Sequence, residues 1–112
     1  MLDAGVTVAL SSDAPVVKDD NPLVGMRAAV VRRDSDGEPI AADQAITVTE
    51  ALRAYTVGGA IASGDESNRG TIEPGKWADL AVLSANPLEV EAEALPEITV
   101  HMTLVGGRIV FG

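Results

Sequence analysis

Gly5-Val6-Thr7-Val8-Ala9-Leu10-Ser11-Ser12-Asp13-Ala14-Pro15-Val16 is the stretch on which the fold turns. Residues 5–10 are nearly continuously apolar, with Thr7 the one polar interruption. That pattern predicts a strand buried on both faces, as in a parallel sheet. Ser11, Ser12 and Pro15 end it, and Asp13 stands at its exit. A carboxylate at the C-terminal end of a buried parallel strand is a recurrent position for a catalytic group. The same residue types also make an Asx-type turn or helix cap that ends a strand without any chemistry. The stretch by itself leaves both roles open for Asp13.

Downstream, Lys18-Asp19-Asp20 is a polar loop, and Asn21-Pro22 reads as an N-cap followed by the first helical position. A helix is expected over about 22–33, with Leu23, Met26, Val30 and Arg33 on one stripe. Arg32 and Arg33 would then sit at its negative pole. Asp34 to Pro39 is a loop by composition, with Asp36-Gly37 as a tight turn. Thr47-Val48-Thr49-Glu50 matches a capping box. It predicts a helical run over about 48–63, broken near Thr56–Gly59 and ended by Gly64.

The composition changes near residue 70, from helices and one strand to a strand-rich segment. Two parts are expected, 1–68 and 69–112. Glu73-Pro74-Gly75-Lys76 suits a type II turn and leads into a strand over Trp77–Leu83. Glu89 to Glu97 is acidic and reads as a solvated loop or short helical turn. Ile98–Val105 and Arg108–Phe111 flank Gly106-Gly107, a hairpin signal. Alternation places Ile98, Val100, Met102 and Leu104 on one buried face.

With 112 residues, the chain suffices for one domain-sized core. Tyr55, Trp77 and Phe111 are its only aromatics, so Val, Leu, Ile and Ala must build that core. A net charge of −9 argues against nucleic acid and against an anionic membrane surface. The absence of Cys excludes disulfides and thiolate metal sites. No apolar run approaches the roughly 18 residues of a membrane span. Met1 to Gly5 lacks the basic stretch of a signal peptide, and a cytoplasmic location is expected.

Taken together, these phrases resemble the C-terminal end of the amidohydrolase superfamily, in its amidohydrolase-3 branch with the N-substituted formamide deformylases. The resemblance covers about residues 3–112. Residues 5–16 resemble the last barrel strand and its metal-site Asp. Asn21-Pro22-Leu23 with Ala28 to Arg32 resembles the following helix. Thr47 to Leu52, with Tyr55-Thr56 and Gly59-Ala60, resembles the helical run after the barrel. Gly70 to Lys76 with Ala78-Asp79-Leu80 resembles the return into a small β-sandwich. Val100 with Thr103 to Arg108 resembles its closing hairpin.

The fold so implied is α+β. Residues 1–68 would carry the last strand and helices of a (β/α)8 metal-dependent hydrolase barrel, and 69–112 would carry sandwich strands, incomplete as a single chain. The resemblance implies hydrolysis of a non-peptide C–N bond in a small amide-type substrate, by water activated on a divalent metal, often zinc. It makes Asp13 the catalytic carboxylate, metal ligand or both. This sequence departs from the family pattern in lacking the paired His of the first strand, the carboxylated Lys or its equivalent, and the later-strand His. Its one His is His101, in the hairpin. A mononuclear site needs about three protein ligands, so no metal and no activity are expected of this chain alone.

Two other roles compete. Exposed strand edges could pair two copies into a homo-oligomer, making the chain an assembly module. Alternatively, a separate chain could supply the missing ligands of a split hydrolase. For the remaining polar residues the bland roles are favoured. Asp79 reads as a strand carboxylate that bonds backbone or a turn amide, rather than a second site carboxylate. His101 reads as an outward-facing strand residue. Ser11 and Ser12 are expected to bond the strand end, and Lys76 to serve the turn. Glu89, Glu91 and Glu93 make a solvated face.

Overall fold

Asn21 starts the first helix as its side chain demands. Its Oδ1 accepts the Leu23 N–H at 3.0 Å, and Pro22 takes the first helical position. In the computed structural model, which describes residues 1–112, α1 spans Pro22–Val31. It stops short of Arg33 because Arg32 turns left-handed, with φ 54°. The two arginines therefore leave the helix pole and tie down the following loop instead. Arg32 Nε donates to the Ile40 carbonyl at 3.1 Å, and Arg33 Nη1 to that of Gly37 at 2.7 Å. The turn expected at Asp36-Gly37 forms, with the Asp34 carboxylate accepting the amides of Asp36 and Glu38 at 2.9 Å each.

Thr47 and Glu50 close their capping box in both directions. Thr47 Oγ1 accepts the Glu50 N–H at 3.1 Å, and the Glu50 carboxylate accepts the Thr47 N–H at 2.8 Å. They start α2, Val48–Arg53. A π-turn over Ala54–Gly58 and α3, Gly59–Ala62, continue the same run. The break expected near 56–59 is thus a widened turn within one helical run.

The sheet is an antiparallel meander in the order β1-β2-β3: Leu80–Leu83, Val100–Val105 and Arg108–Phe111. Its turns follow the glycines. Gly75 has φ 90° in the turn that the Lys76 N–H closes on the Glu73 carbonyl at 3.1 Å. Gly106 and Gly107 are both left-handed, at φ 56° and 79°, as a type I′ hairpin requires. The strand expected from Trp77 begins only at Leu80, since Ala78 and Asp79 are engaged with the hairpin tip. Ile98 precedes β2 and follows a 3-10 turn, Ala92–Glu97. Leu80 pairs with Leu104 and Val82 with Met102, but the register slips between Val82 and Leu83. The expected alternation is broken there. Ile98 is buried and Met102 and Leu104 half-buried, whereas Val100 is 39% exposed.

Leu23 and Met26 of α1, Ala51 of α2, Leu95 and Ile98 make the core cluster. From outside, Arg27 Nε fastens α1 to the 3-10 turn, donating to Glu93 at 2.9 Å.

Residues 5–10 correct the first expectation: they form no strand. A strand buried on both faces needs hydrogen-bonded neighbours on either side, and the chain's one sheet is the antiparallel meander. The segment lies against the helical run instead, with the Leu10 N–H donating to the Ala54 carbonyl at 3.3 Å. Val8 and Leu10 are half-buried, while Val6, Thr7 and Ala9 are exposed.

The chain exposes 7682 Å². A compact monomer of its 11.5 kDa mass would expose about 5,800 Å². Its radius of gyration is 14.7 Å, against about 13 Å for a compact domain of this length. No helix is long and apolar enough to cross a membrane.

Candidate functional site

Asp13 sits where the extended segment leaves the helical run. Its backbone is left-handed, φ 58°, a conformation that Asp tolerates better than most side chains. Its carbonyl accepts the Val16 N–H at 2.9 Å and closes a turn. Ser12 Oγ accepts the Ala14 N–H at 3.3 Å, a local bond within the turn rather than at a strand end, since segment 5–10 forms no strand. The Asp13 carboxylate itself is exposed and takes part in none of the chain's hydrogen bonds or ion pairs. It is therefore not the acceptor of an Asx-type turn.

No three His, Asp or Glu side chains come together in a group that could hold a metal ion. Asp13 is one free carboxylate, and the residues of this chain do not by themselves make a metal centre. His101 is exposed on β2, facing solvent as expected.

A second site lies between the helical run and the sheet. It is an open, mainly apolar cleft of about 700 Å³, with Tyr55 and Ser63 on one wall and Arg69, Trp77, Asp79 and Leu80 on the other. The Arg69 guanidinium lies 4.7 Å above the Trp77 ring. Its Nη1 is 3.5 Å from Asp79 and its Nε 3.5 Å from Asp65. Asp79 spends its other oxygen on the Gly106 amide at 2.8 Å, and the Ala78 carbonyl accepts the Gly107 N–H at 3.0 Å. Asp79 is thus the turn-bonding residue the sequence suggested. Lys76 Nζ donates to the Glu66 carbonyl at 2.7 Å and lies 3.3 Å from Glu73, which makes it a loop anchor.

Two groups near this cleft have shifted acidity. Burial raises Tyr55 above the usual phenol value. Glu73 is lowered, first by the hydroxyl of Thr71 donating to it and then by Lys76. Asp13 does not line the cleft. Sequence reasoning missed the cleft altogether, because Arg69 and Trp77 are separated by a turn and carry no motif.

The amidohydrolase family model matches residues 1–111. The chain belongs to that family. It is 45% identical over 107 residues to the N-substituted formamide deformylase of Arthrobacter pascens, covering 96% of this chain and 20% of that protein. It is 33% identical over 114 residues to the putative amidohydrolase YtcJ of Bacillus subtilis, covering 99% of this chain and 21% of that one. Among solved structures, an amidohydrolase from Thermotoga maritima superposes with a TM-score of 0.72 at 29% identity, covering 98% of this chain and 24% of the other. The chain thus spans about a fifth of the length of the curated relatives it matches. The resemblance read from residues 3–112 is borne out by all three comparisons.

Proposed function

We propose that this chain is the C-terminal portion of a metal-dependent amidohydrolase that hydrolyses a non-peptide C–N bond in a small amide, an N-substituted formamide being the leading candidate. The observation that carries this is the 45% identity with the formamide deformylase over nearly the whole chain. In the complete enzyme, residues 1–68 would close the barrel and 69–112 would return to the sandwich. Asp13 is the carboxylate that serves the reaction. It takes the proton of the attacking water as the water oxygen bonds to the carbonyl carbon. Asp13 then hands that proton to the substrate nitrogen as the C–N bond breaks, so that the nitrogen leaves as an amine, the acyl part leaves as a carboxylate, and Asp13 returns to its ionised form. Asp13 would also supply one ligand toward a divalent metal, zinc by family resemblance, which would activate the water, and the remaining ligands would come from outside these residues.

The surface excess of roughly 1,900 Å² over a compact monomer supports an incomplete unit, being larger than a standard protein interface. The test is an assay of the longer polypeptide carrying this chain, with N-substituted formamides as substrates. Asp13→Asn is expected to abolish turnover while leaving the fold intact. Full activity in that variant rejects Asp13 as the catalytic carboxylate.

A second reading is favoured by β3, whose Ile109, Val110 and Phe111 are each more than half exposed. Such an edge can pair with a second copy. A homodimer by light scattering that Val110→Lys dissociates supports it, and a monomer at all concentrations excludes it.

A further inference from the structure

The segment that leads to Asp13 is backed by a close contact that involves no polar side chain. Gly58 closes the π-turn and is buried. Its backbone is ordinary right-handed helix, φ −58° and ψ −45°, so the position does not need glycine for conformation. It needs glycine for space. A Cβ there would lie 2.2 Å from the Val8 carbonyl oxygen, 3.1 Å from the Val8 carbonyl carbon and 3.2 Å from the Ala9 Cα. All three are backbone atoms and cannot swing aside like a side-chain tip. The next residue, Gly59, is a built-in control, because a Cβ there meets nothing within 4 Å.

The second contact is one helical turn earlier. A π-turn disturbs the regular i→i−4 ladder, and such turns recur at functional sites. Here the Ala54 carbonyl, at the start of the π-turn, accepts the Leu10 N–H at 3.3 Å. The extended segment is therefore held at Val8–Ala9 by backbone contact and at Leu10 by a hydrogen bond. Asp13 follows three residues beyond Leu10.

We propose that Gly58 is a positioning residue for Asp13: with the Ala54 carbonyl it forms a seat that fixes how deeply segment 6–13 lies against the helical run. Restoring ordinary contact after adding a Cβ needs a displacement of about 1 Å, from 2.2 Å to at least 3.4 Å. A misplacement of that size is enough to cost a reaction about 100-fold. The catalytic meaning rests on the role proposed for Asp13, while the seat itself does not.

The seat is tested by NMR on the ¹⁵N-labelled 112-residue chain and its Gly58→Ala and Gly59→Ala variants. Gly58→Ala is expected to shift the amide signals of Val8 to Asp13, and Gly59→Ala to leave them in place. In the unsubstituted chain the Leu10 amide is expected to exchange with solvent more slowly than those of Thr7 and Ala9. If Gly58→Ala fails to fold, this exchange measurement decides alone. Coincident spectra for the two variants over residues 8–13, or a Leu10 amide exchanging as fast as that of Thr7, overturn the seat.

In the longer polypeptide, Gly58→Ala is expected to lower kcat about 100-fold with KM unchanged, and Gly59→Ala to do neither. An unchanged kcat in Gly58→Ala overturns the positioning role. Activity surviving in Asp13→Asn refutes the role of Asp13 instead, and is distinguishable because the NMR result for the seat is independent of it.

Discussion

Asp79 holds the tip of a hairpin 27 residues away: its Oδ1 accepts the Gly106 N–H at 2.8 Å. Its other oxygen faces Arg69, which stacks on Trp77. One carboxylate thus joins the loop before β1, the β2–β3 turn and the far wall of the cleft. Asp79→Ala removes a hydrogen bond to a charged acceptor and is expected to cost about 1.5–3 kcal/mol. Urea unfolding checks this, and a midpoint equal to that of the unsubstituted chain would show the bond to be idle.

Thr47→Ala breaks one half of the capping box while leaving the α2 packing face intact. The expected loss is about 1 kcal/mol. Glu50→Gln, which keeps an acceptor for the Thr47 amide, should cost less. Circular dichroism during urea titration separates the two.

Leu95 is fully buried in the core cluster that the 3-10 turn makes with α1 and α2. Leu95→Ala is expected to destabilise the chain by about 2–5 kcal/mol. The outcome is read as a fall in the unfolding midpoint, or as loss of the folded spectrum altogether.

Tyr55 is the one tyrosine, so its ionisation can be followed by absorbance without interference from another phenol. Burial favours the neutral phenol in the folded chain, so the folded value lies above the unfolded one, near 10. Its contribution to stability is complete below pH ~10 and is lost as pH rises through the raised folded value. A titration midpoint at or below that of free tyrosine would contradict the buried setting.

Glu73 runs the other way. The Thr71 hydroxyl and Lys76 favour its charged form, so its contribution is present above its ordinary titration range and lost as pH falls through the lowered folded value. Glu73→Gln is expected to flatten that acid limb of the stability profile.

The local signals were legible where a few neighbouring residues decide the outcome. Asn21-Pro22, Thr47 to Glu50, Pro74-Gly75 and Gly106-Gly107 all fold as their side chains and backbone freedom dictate. Segment 5–10 was not, because apolar continuity reports a preference for burial and the partners needed to satisfy it are not among these residues. Val100 was misplaced because a register slip reverses alternation and leaves no mark in composition. The cleft was invisible because it joins Tyr55 of the helical run to Arg69 and Trp77 of a loop, a pairing made by packing alone. At the candidate site, Asp13 was legible as a residue, whereas Gly58, which seats its segment, differs from Gly59 only in what lies opposite.

The cleft also carries its own optical ruler. Its walls hold the one tyrosine and the one tryptophan of the chain, Tyr55 on the helical side and Trp77 on the sheet side. Excitation absorbed by the first can be emitted by the second, with an efficiency that falls steeply as the walls separate. Any partner that wedges the cleft open, or clamps it shut, would therefore announce itself in the intrinsic fluorescence of the unlabelled protein.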